Sequence, residues 1–151
     1  MSEIVEIIDE LKSIHDGDAW HGPSLKENLA GISAAQAAAK PVANAHSIWE
    51  LVLHITAWED VFLRRLEGQP MVEPEEGDFP PVDASSEVAW QGTLQRLDDV
   101  HEKLLARISG LTEERLDEIV VGKDYTIRYL LRGIARHHVY HSGQIGLLKK
   151  G

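Results

Sequence analysis

Four stretches of the chain repeat apolar residues every three or four positions, a spacing that places them along one face of an α-helix. The stretches are residues 2–17, 44–68, 85–110 and 126–150. Ser2 suits the cap of the first helix, and Ser85 or Ser86 suits that of the third. The first three stretches end at Gly17, Gly68 and Gly110. The pattern predicts four long helices.

One face of each predicted helix is apolar enough to be buried. In the first helix that face contains Ile4, Ile7, Ile8, Leu11 and Ile14. In the second it contains Ile48, Leu51, His54, Ile55, Trp58, Val61 and Phe62. In the third it contains Val88, Trp90, Leu94, Leu97, Leu104 and Ile108. In the fourth it contains Leu130, Ile134, Ile145 and Leu148, together with His137 and His141.

The segments between these helices differ in length and composition. Residues 18–41 contain glycine and proline and predict only two short helical pieces, capped by Ser24 and Ser33. Residues 111–120 predict one short helical turn, and no stretch shows the alternation of a β-strand. Residues 69–84 are rich in proline and acidic residues and are too long for a tight hairpin. At about 3.3 Å per residue, this connection can run the length of a bundle.

Four amphipathic helices in a chain of 151 residues predict an all-α fold, a four-helix bundle in one domain over residues 1–151. The long connection favours a crossover between the second and third long helices, which would then run parallel. A decorated up-down-up-down bundle is the alternative that the sequence leaves open.

Composition and charge exclude several functions. The chain has no cysteine, which excludes disulfides, thiolate metal ligands and a cysteine nucleophile. A formal net charge of −10 without a basic cluster predicts that nucleic acid is not a partner. The N-terminus lacks the pattern of a signal peptide, and no apolar run approaches the roughly 20 residues of a membrane span. A cytoplasmic protein without membrane contact is therefore expected.

Most of the 8 histidines fit ordinary positions. His15 lies near the end of the first helix, His21 in the loop after it, and His46 near a helix start. His101 lies among charged residues and is predicted to be solvated. His138 is expected at the edge of the buried face of the fourth helix.

His137 and His141 are four positions apart, so both imidazoles lie on the buried face of the fourth helix. His54 lies on the buried face of the second helix. At a rise of about 1.5 Å per residue, His54 is about 14 Å from the start of its helix if that helix begins near Ala45, and the histidine pair is about 15 Å from the end of its own. In an antiparallel pair of helices with flush ends, the three imidazoles would meet at one level, and a parallel pair with some offset would allow the same meeting.

A metal ion is a physical reason to gather three buried imidazoles, because it accepts nitrogen lone pairs that would otherwise need hydrogen-bond donors. Three histidine ligands leave at least one coordination position open, as in catalytic sites. Imidazoles favour zinc, nickel or another late divalent ion over magnesium and calcium. The alternative is three core histidines that bond to backbone, to carboxylates or to one another.

Other chemistries fit the sequence less well. It contains no H-E-x-x-H motif, no Glu-x-x-His pair of a di-iron bundle and no phosphate-binding glycine loop. No general base is identifiable, so catalytic residues stay unassigned. Glu50 lies on the same face as the histidine of its helix, whereas Glu59 and Asp60 are predicted to be solvated. Near the histidine pair, Tyr140 and Gln144 add polar groups.

The stretches HSIWELVLHITAWE and IARHHVYHSGQIGLLKK, residues 46–59 and 134–150, resemble the DinB-like (DinB/YfiT) superfamily, to which metal-dependent enzymes belong. Residues 17–37 are similar to the segment between the first two long helices of that family. The resemblance implies a four-helix bundle with a long crossover and a metal site formed by His54, His137 and His141. Relatives with this ending often carry an acidic residue where this chain has His138.

The resemblance also implies a function. Relatives include transferases and isomerases that use low-molecular-weight thiols such as mycothiol, bacillithiol or glutathione. We therefore expect a metal-dependent enzyme with a mononuclear three-histidine site and a small-molecule substrate, either a thiol-dependent S-transferase or isomerase or a metal-dependent hydrolase. Any thiol would be a cosubstrate, since the chain has no cysteine. The alternatives are a non-enzymatic protein that binds a metal or small ligand, and a bundle whose histidines only satisfy one another.

Two further expectations concern surfaces. Trp49 and Leu53 lie off the main apolar stripe of the second helix, so a homodimer that covers them is predicted. Members of the family often pair in this way, which the resemblance adds to the argument. On the resemblance alone, Trp20 and His21 are expected to line the mouth of the pocket.

Overall fold

The regular structure of the chain is helical. The computed structural model describes residues 2–151. Its helices are α1 (Glu3–Asp16), α2 (Leu25–Leu29), α3 (Ala34–Ala38), α4 (Ile48–Leu66), α5 (Glu87–Ser109) and α6 (Ile127–Leu148), with a 3-10 helix at Glu113–Asp117. Across residues 2–151 there is no β-strand, and none of the helices is long and apolar enough to cross a membrane. The all-α prediction is confirmed.

Hydroxyl side chains set where the α-helices begin. The capping residues are Ser2, Ser24, Ser33, Ser47, Ser86 and Thr126, each of which accepts a hydrogen bond from a backbone N–H of the first turn. Ser47 forms a reciprocal capping box with Glu50, so α4 begins at Ile48, three residues after the start assumed for the depth estimate. After α4, Gly68 adopts a φ of +87°, a left-handed conformation that favours glycine.

Contacts between the long helices fix their directions. The N-terminal half of α4 contacts the N-terminal half of α5, through Trp49 and Thr93, and their later halves also meet, so the two helices run parallel. The start of α4 lies against the end of α6, so that pair is antiparallel. α1 and α6 start together, through Glu3 and Arg128, and run parallel. The bundle therefore contains the predicted crossover between α4 and α5.

The crossover between α4 and α5 is anchored along α4. The guanidinium of Arg65 donates hydrogen bonds to the carbonyl oxygens of Met71 and Val72, at 2.8 and 2.9 Å. Nearer the middle of α4, Trp58 Nε1 donates to Asp78 Oδ1 at 2.7 Å. The connection is thereby held beside α4 for much of its length, which brings the segment around Asp78 to the level of His54.

A polar layer divides the apolar core into two clusters. One cluster joins α1 to the later halves of α4 and α5 and to the first half of α6. The other joins α2 and α3 to the first halves of α4 and α5 and to the end of α6. In α5, His101 lies between Leu97 of one cluster and Leu104 of the other. All of the buried histidines lie at this level of the bundle.

Three predictions about exposure are changed by the structure. Val88 is 84% exposed, because it is two positions before the buried Trp90 and so lies on the opposite side of α5. Trp49 is only 2% exposed and donates through Nε1 to Thr93 Oγ1, since α4 is covered by more than one neighbour. Leu53 is half-buried. Trp49 thus gives no support to a homodimer, which stays a prediction.

Candidate metal centre

His54 of α4 meets His137 and His141 of α6, and these three residues form what we call the open cluster. His54 Nε2 is 3.1 Å from His137 Nε2 and 3.0 Å from His141 Nε2. His54 and His141 are buried, and His137 is half-buried. The antiparallel packing of α4 on α6 brings together the side chains that their matching depths predicted.

Hydrogen bonds on the far side of two rings fix which nitrogen carries the proton. His54 Nδ1 lies 2.6 Å from the carbonyl oxygen of Asp78, and His141 Nδ1 lies 2.6 Å from Gln144 Oε1. Both oxygens can only accept, so each Nδ1 carries the hydrogen and each Nε2 presents a lone pair. Two lone pairs therefore face each other across 3.0 Å, an arrangement that repels unless a cation lies between them.

The spacing of the nitrogens fits a divalent metal. Zinc–nitrogen bonds of about 2.0–2.1 Å at tetrahedral angles hold their nitrogens about 3.3 Å apart. The observed separations of 3.0 and 3.1 Å are close to that value. The donor atoms, their tautomers and their distances thus suit an ion with three imidazole ligands.

Burial also keeps these imidazoles neutral. It lowers the pKa of His137 to about 3, with further lowering from His141 and His54. Burial is likewise the main reason that the pKa values of His54 and His141 are lowered. Neutral imidazole is the form that binds a metal, so the cluster is in its ligating state at neutral pH.

The crossover completes the surroundings of the open cluster. The ring of Phe79 stacks on His54, with centroids 4.1 Å apart and planes inclined by 10°, and it also stacks on His46 at 3.6 Å. Together with the Asp78 carbonyl, this contact fixes the orientation of His54. The sequence carried no signal for Asp78 or Phe79, because nothing in an irregular acidic connection shows which residue reaches α4.

A pocket of about 390 Å³ opens beside His141. Its walls are largely apolar, and Leu51, Phe79 and Leu147 contribute to them. Polar groups on its lining come from His46, Tyr140 and Gln144. This size is in the range of small-molecule sites, about 300–1,000 Å³.

Three residues considered from the sequence are not part of this pocket lining. Glu50 is bound by His46, Lys40 and the backbone N–H of Ser47 at the start of α4. Trp20 is fully exposed, and His21 lines a different surface groove with Ser142 and Gly146. The expectation that Trp20 and His21 line the pocket mouth is therefore not met.

A second group of histidines lies in the polar layer of the bundle. His15, His101 and His138, together with Glu59, form what we call the core cluster. One ring nitrogen from each histidine lies within 4.8 Å of those of the other two. The four residues are 5%, 3%, 1% and 1% exposed, respectively. The predictions that His101 and Glu59 are solvated and that His138 lies at an edge are wrong.

Helical spacing carried the signal for these residues. His101 is four positions after Leu97 and three before Leu104, and both leucines are fully buried. His138 is likewise four positions after Ile134 and seven before Ile145, on the centre of the buried face of α6. His101 was assigned to the surface because of its charged neighbours, and His138 was assigned to an edge because the buried stripe was drawn through His137 and His141.

Glu59 is ionised in spite of its burial. Burial opposes the charge, but the hydrogen bond from His101 and the nearby ring of His138 outweigh it and hold the pKa of Glu59 well below its usual range. Its Oε1 is 3.0 Å from His101 Nδ1 and 3.3 Å from His138 Nδ1. A buried carboxylate at this position can therefore accept protons from, or share a cation with, the histidines around it.

Comparison with known proteins adds one finding. The sequence model of the DinB superfamily matches residues 20–145. The matched range contains α4, the crossover, α5 and most of α6, and so includes the whole open cluster. No curated protein and no solved structure matches the chain.

Proposed function

The chain belongs to the DinB superfamily, and we propose that it is a metal-dependent enzyme whose centre is the open cluster. The observation that carries the proposal is the convergence of three Nε2 atoms at 3.0 and 3.1 Å, with two tautomers set by oxygens behind the rings. His54, His137 and His141 would hold a divalent transition ion, with zinc or nickel the best fit to three imidazoles.

Residues around the cluster would orient the ligands and shape the substrate site. The Asp78 carbonyl and the Gln144 side chain hold two imidazoles in the ligating tautomer. Phe79 and Leu51 exclude water from one side of the pocket, and Tyr140 offers a hydroxyl near its mouth. When bound, the ion supplies Lewis acidity that lowers the pKa of a coordinated thiol or water.

The reaction class proposed is transfer or isomerisation that uses a low-molecular-weight thiol. The chain has no cysteine and cannot supply the sulfur itself, so the thiol must enter with the substrate. In a transfer, the sulfur forms a bond to an electrophilic carbon, while the thiol proton and the leaving group of that carbon depart. The apolar walls of the pocket suit the body of a small electrophile rather than a polymer.

A spectroscopic titration tests this proposal. Cobalt-substituted protein is mixed with glutathione, bacillithiol or mycothiol, and the near-ultraviolet spectrum is followed for a sulfur-to-cobalt charge-transfer band. We expect one thiol to produce the band, and the exposed-site variant His21→Gln to behave as the wild type. His54→Ala should lose the response. If no thiol changes the cobalt spectrum, thiol transfer is rejected, and water activation or ligand binding becomes the better account.

A further inference from the structure

The core cluster has a feature that its hydrogen bonds do not explain. Five buried side-chain atoms lack a partner in the described chain: His15 Nδ1, Glu59 Oε2, His101 Nε2 and both ring nitrogens of His138. A buried polar atom without a partner has lost its hydrogen bonds to water and gained none in return, so each one destabilises the fold. A concentration of five within one group of side chains therefore points to a ligand that satisfies them together.

Adding protons to the histidines does not supply these five atoms with hydrogen-bond partners. A neutral ring leaves a buried lone pair, and protonating His15 Nδ1 or His101 Nε2 only replaces that lone pair with a buried N–H that also lacks an acceptor. His15 and His101 are stacked with centroids 3.8 Å apart and planes inclined by 7°, so charging both rings would be costly. A cation that accepts several lone pairs at once resolves both problems.

Carboxylates lie behind the rings in the way that ligating histidines require. His15 Nε2 donates to Asp98 Oδ1 at 2.9 Å, which leaves His15 Nδ1 as a lone pair. His101 Nδ1 donates to Glu59 Oε1 at 3.0 Å, which leaves His101 Nε2. Such carboxylate–imidazole pairs fix the tautomer and raise the basicity of the other nitrogen toward a metal.

We propose that His15, His101 and His138 form a second site, which binds a divalent transition-metal ion of the zinc type. Three imidazoles supply its protein ligands, and their burial closes the site to solvent. The ligands come from α1, α5 and α6, and Glu59 of α4 holds His101 from behind. The ion therefore joins three helices directly and the fourth through Glu59, at the polar layer where the apolar core is interrupted.

The ring nitrogens of the core cluster must move closer together to bind an ion. The three ring nitrogens lie within 4.8 Å of one another, whereas a zinc ion holds its nitrogens about 3.3 Å apart. Binding thus draws the rings inward by small side-chain rotations. Because all four residues are at most 5% exposed, exchange of the ion with solvent requires the helices to separate locally. We expect slow release to a chelator, in contrast to the open cluster.

Nitrogen-15 spectra of the histidine rings test the proposal in the wild-type protein. Metal-free protein is titrated with zinc, and the rings whose nitrogen shifts change are counted. Two sites predict changes in six of the 8 rings, with His21 and His46 unaffected. Changes in three rings that disappear in His54→Ala would overturn the second site and leave the open cluster in place.

Metal counting in variants separates the two sites. Wild type and the exposed control His21→Gln should each retain two cobalt ions per chain, and His54→Ala and His101→Gln one each. The cobalt left in His54→Ala should not respond to thiols, because that site is closed. If wild type binds a single ion that His101→Gln loses and His54→Ala keeps, the second site is supported and the open cluster is rejected. If wild type binds a single ion that His101→Gln keeps, with a wild-type circular dichroism spectrum, the second site is rejected.

Discussion

Two histidine clusters meet at α6, and they differ in the helices that form them, in their surroundings and in the groups that hold their rings. His137 belongs to the open cluster and His138 to the core cluster, although they are adjacent in the chain. The open cluster draws on two helices and a loop and borders a pocket. The core cluster draws on four helices and is enclosed between two apolar clusters. One residue step on a helix, about 100°, is enough to separate them.

The groups behind the rings differ as well. In the open cluster a backbone carbonyl and an amide oxygen accept from the rings, and the exposed Asp78 carboxylate lies 3.3 Å from His54 Nδ1. In the core cluster the carboxylates of Asp98 and Glu59 accept directly from the rings. The proposals above accordingly give the open cluster a role in chemistry and the core cluster a role in stability.

The largest effect is expected from breaking the core cluster. Glu59→Ala leaves the surrounding histidines without their carboxylate and should lower the free energy of unfolding by about 4 kcal/mol. Asp60→Ala is the matched control, since Asp60 makes a surface ion pair with Arg64 and should cost less than about 1 kcal/mol. Urea unfolding of the metal-free proteins measures both values. Equal costs would remove the distinction between buried and surface carboxylates.

Next comes the loss of one ligand from the open cluster. Structural zinc sites bind with about 10–16 kcal/mol from four ligands, so one ligand is worth about 2.5–4 kcal/mol, or roughly 50- to 1,000-fold in affinity. His141→Ala should weaken the faster-exchanging metal by that factor, as measured by competition with a chromophoric chelator. His101→Gln should leave this affinity unchanged. A similar loss in both variants would mean that the clusters are not independent.

Acid should destabilise the metal-free protein through both clusters, because the pKa values of His137, His54 and His141 are lowered as well as that of His15, and His15 carries the contribution of the core cluster. Burial lowers the pKa of His15 to about 4 from the ordinary value of 6.5. The unfolded chain therefore binds a proton first as pH falls, and stability is lost progressively between pH 6.5 and about 4, by about 3 kcal/mol from this residue. The free energy of unfolding should fall less between pH 6.5 and about 4 in His15→Gln than in wild type. In His21→Gln it should fall as much as in wild type. An unchanged slope in His15→Gln would exclude His15 as the titrating group.

A smaller effect is expected from removing the oxygen behind one ligand. Gln144→Ala takes away the acceptor for His141 Nδ1 and should weaken metal binding at the open cluster by about 10–100-fold. The ring signals of His15, His101 and His138 should stay as in wild type, which makes the core cluster an internal control. No change in affinity would show that the tautomer of His141 does not depend on Gln144.

Much of the fold could be predicted because its causes are local. Helix faces, capping hydroxyls and stop signals follow from spacing within one helix, and the length of residues 69–84 indicated a crossover. The meeting of His54 with His137 and His141 was predicted from depth along two helices for an antiparallel pair with flush ends, and the structure has α4 and α6 antiparallel. The loop contacts of Asp78 and Phe79 had no such periodicity and could not be predicted.

The sequence by itself determined the four long helices and the caps of the first and third, and it singled out three histidines that could share a level in the bundle. Only the tertiary structure decided that Glu59 and His101 are buried and that α1 and α5 bring His15 and His101 to His138. The reason is physical. Helical periodicity specifies which side a residue is on, but a charged side chain enters the core only when partners arrive from other helices to compensate it.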